Sequence, residues 1–143
     1  MDKNINITSR GIIIHDDKML VVNISGNNFY CLAGGKLEKE EDLVECAERE
    51  LVEELGVKPE IGRLLYVSTF FDKNNIKNMD FIFEVKNSKD YLNLENINST
   101  HAFELSETCW KSRDEDVNFL PKRIFDDFKE GDLPTDEVRF IRQ

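Results

Sequence analysis

The segment Gly35-Lys36-Leu37-Glu38-Lys39-Glu40-Glu41-Asp42-Leu43-Val44-Glu45-Cys46-Ala47-Glu48-Arg49-Glu50-Leu51-Val52-Glu53-Glu54-Leu55-Gly56-Val57 decides how this chain is read. From Glu41 to Leu55 the apolar residues Leu43, Val44, Ala47, Leu51 and Leu55 recur at spacings of three and four, which predicts an amphipathic helix. Its ends agree with its middle. Glu40, Glu41 and Asp42 suit the positive end of the helix dipole, Gly56 stands where a left-handed residue closes a helix, and Val57 can supply the apolar contact that accompanies such a cap.

Between Glu38 and Glu54 lie nine of the 29 acidic residues, a density whose simplest reading is a solvated helix face. The arrangement points further. At about 100° per residue, Glu50, Glu53 and Glu54 fall within an arc of roughly 100° beside the apolar stripe. Like charges so placed repel, more strongly where solvent is partly excluded. A hard divalent cation relieves that repulsion, because carboxylate oxygens suit Mg2+ or Mn2+, and Mg2+ is commonly shared between protein carboxylates and substrate phosphates. Gly34-Gly35, leading a predicted strand into this helix, lets backbone approach a ligand closely.

Gly35, five residues, Glu41, seven residues, then Arg49-Glu50-Leu51-Val52-Glu53-Glu54-Leu55-Gly56-Val57 resembles the Nudix box, glycine-x5-Glu-x7-Arg-Glu-U-x-Glu-Glu-x-Gly-U with U aliphatic; all nine defined positions match, over 23 residues. The resemblance implies an α/β/α sandwich with a mixed β-sheet, in which this loop-helix-loop holds divalent cations. It implies a Mg2+- or Mn2+-dependent hydrolase that cleaves the diphosphate linkage of a nucleoside diphosphate derivative, with nucleoside triphosphates or nucleotide sugars as leading substrates. By position, Glu50, Glu53 and Glu54 resemble the metal-binding and catalytic carboxylates, and the Gly34 carbonyl a further ligand. Arg49 resembles the arginine that orients a neighbouring carboxylate, an ion pair with Glu45 or Glu53 being its simpler role. Glu41, with Gly35, is expected to brace the loop. Glu107, shortly before Trp110, resembles a late-loop glutamate of the family and is the candidate fourth carboxylate, against Glu104 or a plain surface role. The chain departs from the common pattern at Ala33 and at Lys39-Glu40, where prolines are frequent, but lacks none of the acids.

Around this segment, Ile12–Ile14 and Met19–Val22 read as strands flanking a polar turn, and Phe29–Leu32 as a short strand or an extended entry to a loop. Leu64–Phe71 and Met79–Val85 read as a second hairpin, Asn87–Thr100 as a loop, Phe103–Trp110 as a strand, and Phe119–Phe128 as a helix entered or interrupted at Pro121. Residues from Lys129 onward read as a turn and tail. With 143 residues and 40% hydrophobic content, one domain spanning 1–143 is expected.

A net charge of −10 argues against a general nucleic-acid binder, and against RNA 5′-end processing in particular. No apolar run approaches a membrane span and the start is polar, so a cytoplasmic protein without a membrane partner is expected. Cys31, Cys46 and Cys109 read as reduced, packed thiols, and His15 and His101 as turn or surface residues. Phe29, Tyr30, Phe70 and Phe71 are candidates to stack on a nucleobase, although aromatics in strands more often belong to a core. A small-molecule nucleotide is the expected partner, and a homodimer is compatible with the family. The competing reading is a Nudix-fold nucleotide-binding or sensing module without hydrolysis; the full complement of acids favours catalysis.

Overall fold

The computed structural model describes residues 4–24, 27–94 and 105–143. Eight strands and two α-helices follow in chain order: β1 Ile5–Ile12, β2 Ile14–His15, β3 Lys18–Ile24, β4 Gly34–Lys36, α1 Leu43–Leu55, β5 Ile61–Phe71, β6 Lys77–Val85, a 3-10 turn at Ser88–Tyr91, β7 Leu105–Ser112, α2 Lys122–Lys129 and β8 Arg139–Arg142. A five-stranded sheet has the order β4-β1-β6-β5-β8, and a three-stranded sheet the order β2-β3-β7. The larger sheet is mixed: β1 runs parallel to β6 and β5 to β8, while β1–β4 and β5–β6 are antiparallel. The fold is the mixed α/β arrangement the sequence implied.

Alternation along the strands builds two cores. In β3, Met19 and Val21 face one side and pack with Tyr66, Ile124, Phe125 and Phe128, whereas Leu20 and Val22 face the other and pack with Leu51, Leu55 and Tyr91. The first core seats α2 and the second seats α1, so each helix covers its own face. Full burial of Leu51 and Leu55 contributes about 1.5–3 kcal/mol each.

The hairpin expected around residues 15–18 is a two-residue turn. Asp16 and Asp17 have φ of 49° and 62°, the left-handed pair whose twist matches antiparallel strands. Helix α1 begins two residues later than the acidic run suggested, because Asp42 acts as its cap: the Asp42 carboxylate accepts from the Glu45 N–H at 2.8 Å, and Glu45 returns the bond at 2.9 Å. Gly56, at φ 77°, closes it. Its buried stripe differs from the one expected: Val44 is 39% exposed and Leu43 half-buried, while Cys46 and Glu54 are buried.

Three elements were not foreseen. β1 extends back through the polar run Asn6, Thr8, Ser9 and Arg10 because it is paired on both sides. β4 is three residues long, and β8 lies in what read as a tail. Strands this short carry too little periodicity to announce themselves. Among the described residues no helix is long and apolar enough to cross a membrane.

Candidate active site

The two glycines ahead of α1 are required for different reasons. Gly34 has φ 151°, a conformation that favours glycine, and a Cβ there would meet the Ser9 carbonyl oxygen at 2.3 Å. Its N–H donates to Glu54 Oε1 at 2.9 Å, which holds a carboxylate that is only 9% exposed. Gly35 has ordinary backbone, but a Cβ there would lie 2.3 Å from the Cδ and Oε1 of Glu50. The carboxylate of Glu50 occupies the space a side chain would fill.

Arg49 is the hub of the helix face. Its Nε and Nη2 donate to the two oxygens of Glu41 at 3.0 and 2.7 Å, a bidentate pairing, while Nη1 donates to Glu50 at 2.8 Å and to Glu53 at 3.2 Å. Nη2 also donates to the Lys36 carbonyl at 2.9 Å. Glu53, not Glu45, is the helical ion-pair partner; Glu45 is spent on the cap. Glu41 additionally accepts from the Glu38 N–H at 2.9 Å, so it ties the loop to the helix. Arg49 foremost holds the Glu41 carboxyl down at about 2. Hydrogen bonding to Glu41, ahead of the opposing effect of burial, pushes the Arg49 guanidinium further up.

The donors on this face are suited to a hard cation. Glu50, Glu53 and Glu54 offer carboxylate oxygens, whereas the nearby Cys46 thiol is buried, donates toward the Gly35 carbonyl at 3.5 Å, and is pushed up by burial to about 12, so it stays protonated. Carboxylate oxygens are donors that hard divalent cations take, and thiophilic metals do not favour them. The bare Cα of Gly35 leaves room for the Glu50 carboxylate within that set. Elsewhere, Asp127, Glu130 and Asp132 bring carboxylate oxygens within 4.8 Å of one another. Asp127 already accepts from Tyr66 at 2.6 Å, from Arg123 at 3.0 Å and, as an ion pair, from Arg139 at 2.8 Å, so that group is an ion-pair network holding α2 to the sheet.

A cavity of about 200 Å³ opens beside the glycine loop, lined by Arg10, Ile24, Asn27, Phe29, Cys31, Leu32, Phe70, Asp80, Leu120, Pro121 and Gln143. Of the aromatic candidates, Phe29 and Phe70 line it. Phe71 does not: successive residues of β5 point to opposite faces, and Phe71 is 61% exposed, with the Lys77 ammonium 5.8 Å from its ring centre. Tyr30 donates its hydroxyl to Glu107 and carries the Lys111 ammonium 5.0 Å from its ring centre. Glu107 shares a face of β7 with Cys109, opposite Trp110, which packs against the core that holds Leu51 and Leu55. The structure therefore joins Glu107 to Tyr30, whose hydrogen bond holds its carboxyl below the ordinary range, and not to the carboxylates of α1. Glu104 lies outside the described residues.

Sequence reasoning missed Arg10 and Asp80. They form an ion pair at 3.7 Å in the cavity wall, with the Thr8 hydroxyl donating to Asp80 and Arg10 Nη1 donating to the Leu32 carbonyl at 3.0 Å. The available signal was Asp80, a charge inside the expected strand Met79–Val85, where burial penalises an unpaired ion; Arg10 lay ahead of the strand expected from Ile12 and gave none.

Against known protein families, the NUDIX domain matches residues 6–128. The chain belongs to the NUDIX family. It is a Nudix hydrolase, of a family that acts on pyrophosphate bonds with divalent metal ions. No curated protein matches it significantly by sequence. Solved structures match it in fold. A MutT NUDIX hydrolase from Burkholderia pseudomallei is 18% identical, with TM-score 0.68, covering 85% of this chain and 95% of its own. An ADP-ribose pyrophosphatase from Streptococcus suis is 18% identical, with TM-score 0.65, covering 94% and 98%. A UDP-X diphosphatase is 18% identical, with TM-score 0.63, covering 99% and 68%.

Proposed function

We propose that this Nudix hydrolase cleaves the diphosphate linkage of a nucleoside diphosphate derivative, of the nucleoside triphosphate or nucleotide-sugar class. Glu50, Glu53, Glu54 and the Gly34 carbonyl would hold the Mg2+ or Mn2+ cations. The observation that carries this reading is an oxygen-only carboxylate face organised by Arg49, linked through Gly34 and its strand partner Arg10 to a cavity walled by Phe29 and Phe70. The first suits the diphosphate and the second a planar base. The fold-level neighbours named for ADP-ribose and UDP-X cleavage support a substrate with a nucleoside on one side of the linkage.

When bound, the cations would polarise phosphoryl oxygens, neutralise charge that builds on the leaving phosphate, and make the attacking water more acidic. The protein supplies position and a base. Arg49 and the space over Gly35 hold the Glu50 carboxylate in one orientation, from which it accepts a proton of the attacking water. Glu41 holds Arg49 from behind and so keeps the loop on the helix. The Gly34 N–H fixes Glu54, which brings the loop backbone and the helix to the same point. The three free thiols suit a reducing, cytoplasmic setting.

The test is a panel of nucleoside triphosphates, ADP-ribose and UDP-sugars with Mg2+ or Mn2+, the products resolved by anion-exchange chromatography. Cleavage at the diphosphate of at least one compound is expected. Tight binding with no cleavage of any would replace hydrolysis by a sensing role.

A further inference from the structure

Arg10 is a guanidinium placed in the middle of a doubly paired strand, between Gly34 on β4 and Ile82 on β6. Such a position strips an ion of water and is stable only if partners compensate. The partners present are few. Nη1 donates to Leu32, and the approach of Nε to Asp80, at 3.7 Å, is longer than a hydrogen bond. One Asp80 oxygen is taken by Thr8. A guanidinium has five N–H donors, so most of those of Arg10 have no acceptor among the described residues, while its side chain, 20% exposed, lines the cavity. Arg49 differs: all three of its nitrogens donate to carboxylates or carbonyls. Of the two arginines at the site, Arg10 has donors to offer a ligand.

Its location says which part of a ligand it meets. A Cβ on Gly34 would lie 2.5 Å from the Arg10 Cγ, and the Gly34 N–H is the one bonded to Glu54. A single backbone residue therefore separates Arg10 from the carboxylate face. Away from this end, Phe29, Phe70 and Leu120 make the cavity apolar. In a chain of net charge −10, an anionic ligand needs a fixed cation on its path.

We infer that Arg10 binds a phosphoryl oxygen on the nucleoside side of the cleaved linkage, with Asp80 and the Leu32 carbonyl positioning its guanidinium. This rests on the diphosphate-cleaving reading above. It makes Arg10 a determinant of affinity for nucleotides over nucleosides, because the cavity holds the base and Arg10 the first phosphate.

The test uses the full chain in EDTA, so that cations contribute nothing. Calorimetry measures binding of AMP, GMP, CMP and UMP and of the matching nucleosides. For the monophosphate bound best, Arg10→Gln is expected to weaken binding at least about tenfold and to leave the nucleoside within about twofold, a single charge-assisted contact being lost. Arg10→Lys, which keeps the charge, recovers part of the nucleotide affinity and stands in if Arg10→Gln does not fold. Asp80→Asn gives a smaller loss confined to the nucleotide. With Mg2+, the same Arg10 variant raises KM for a cleaved substrate by about tenfold with kcat little changed, the signature of uniform binding. Equal monophosphate affinity in wild type and variant overturns the inference, as does a parallel loss for nucleoside and nucleotide. Wild type that binds no nucleotide in EDTA overturns the inference and leaves the proposed function to the cleavage panel with Mg2+ or Mn2+. The expected binding pattern with no cleavage of any substrate sustains the inference and removes only the hydrolytic reading.

Discussion

Replacing Gly35 by alanine puts one methyl group where the structure has the Glu50 carboxylate. The added Cβ would lie 2.3 Å from Cδ of Glu50, against the roughly 3.5 Å at which carbon atoms rest, so the carboxylate must retreat by about 1.2 Å. The obstacle is the end of a flexible side chain, and Gly35 has ordinary backbone, so the fold accommodates the change. A side chain driven off its rotamer costs about 0.5–1.5 kcal/mol. The lost freedom of the unfolded glycine returns about 0.4–1 kcal/mol. The melting midpoint should therefore move by no more than about 3 °C. Turnover behaves otherwise, because misplacing a reacting group by about 1 Å costs on the order of 100-fold. Gly34→Ala is the contrast: its Cβ meets the Ser9 backbone at 2.3 Å with φ at 151°, so that variant should lose several degrees of melting temperature or fail to fold. The assay is product release with Mg2+ on the best substrate of the panel, alongside thermal unfolding. Turnover of Gly35→Ala within about threefold of wild type, at unchanged stability, would refute the assignment of Glu50 as a positioned catalytic group.

Three further outcomes follow from the same geometry. Glu53→Gln should lower turnover by about two orders of magnitude or more with the melting curve preserved, and near-normal turnover would take Glu53 out of the cation-holding set. The Glu41 carboxyl is held at about 2 against an ordinary 4.5, so its contribution to stability is complete above 4.5 and disappears as pH falls through about 2. In EDTA, urea unfolding should show Glu41→Gln less stable by about 1–3 kcal/mol at pH 7 and the difference closing toward pH 2; a difference independent of pH would contradict this. Burial pushes the Asp127 carboxyl up, but hydrogen bonds from Tyr66, Arg123 and Arg139 prevail and hold it below its ordinary value, so its contribution is present at neutral pH and lost in acid. Asp127→Asn should cost about 2–4 kcal/mol at pH 7 with turnover per folded molecule unchanged, and a loss under about 0.5 kcal/mol would show that the network contributes nothing net.

Helix α1, its Gly56 closure and the two hairpins were legible in the chain itself. Each depends on residues within a few positions of one another, where the helical period and turn chemistry act directly. Phe70 and Phe71 show where local reasoning stops: both are aromatic and adjacent, yet a strand sends them to opposite faces, and only the packing of α2 and the loops decides which face holds the cavity. The same alternation sends Glu107 to Tyr30. Arg10 and Asp80, 70 positions apart, meet only because β1 and β6 pair in parallel, and β8 exists only because β5 offers it an edge. The amino-acid sequence by itself determined helix α1, its caps and the run of glutamates it carries, because helical period and turn chemistry act between near neighbours. Tertiary structure decided which residues wall the cavity, Arg10 and Asp80 among them, because strand pairing joins residues that no local spacing relates.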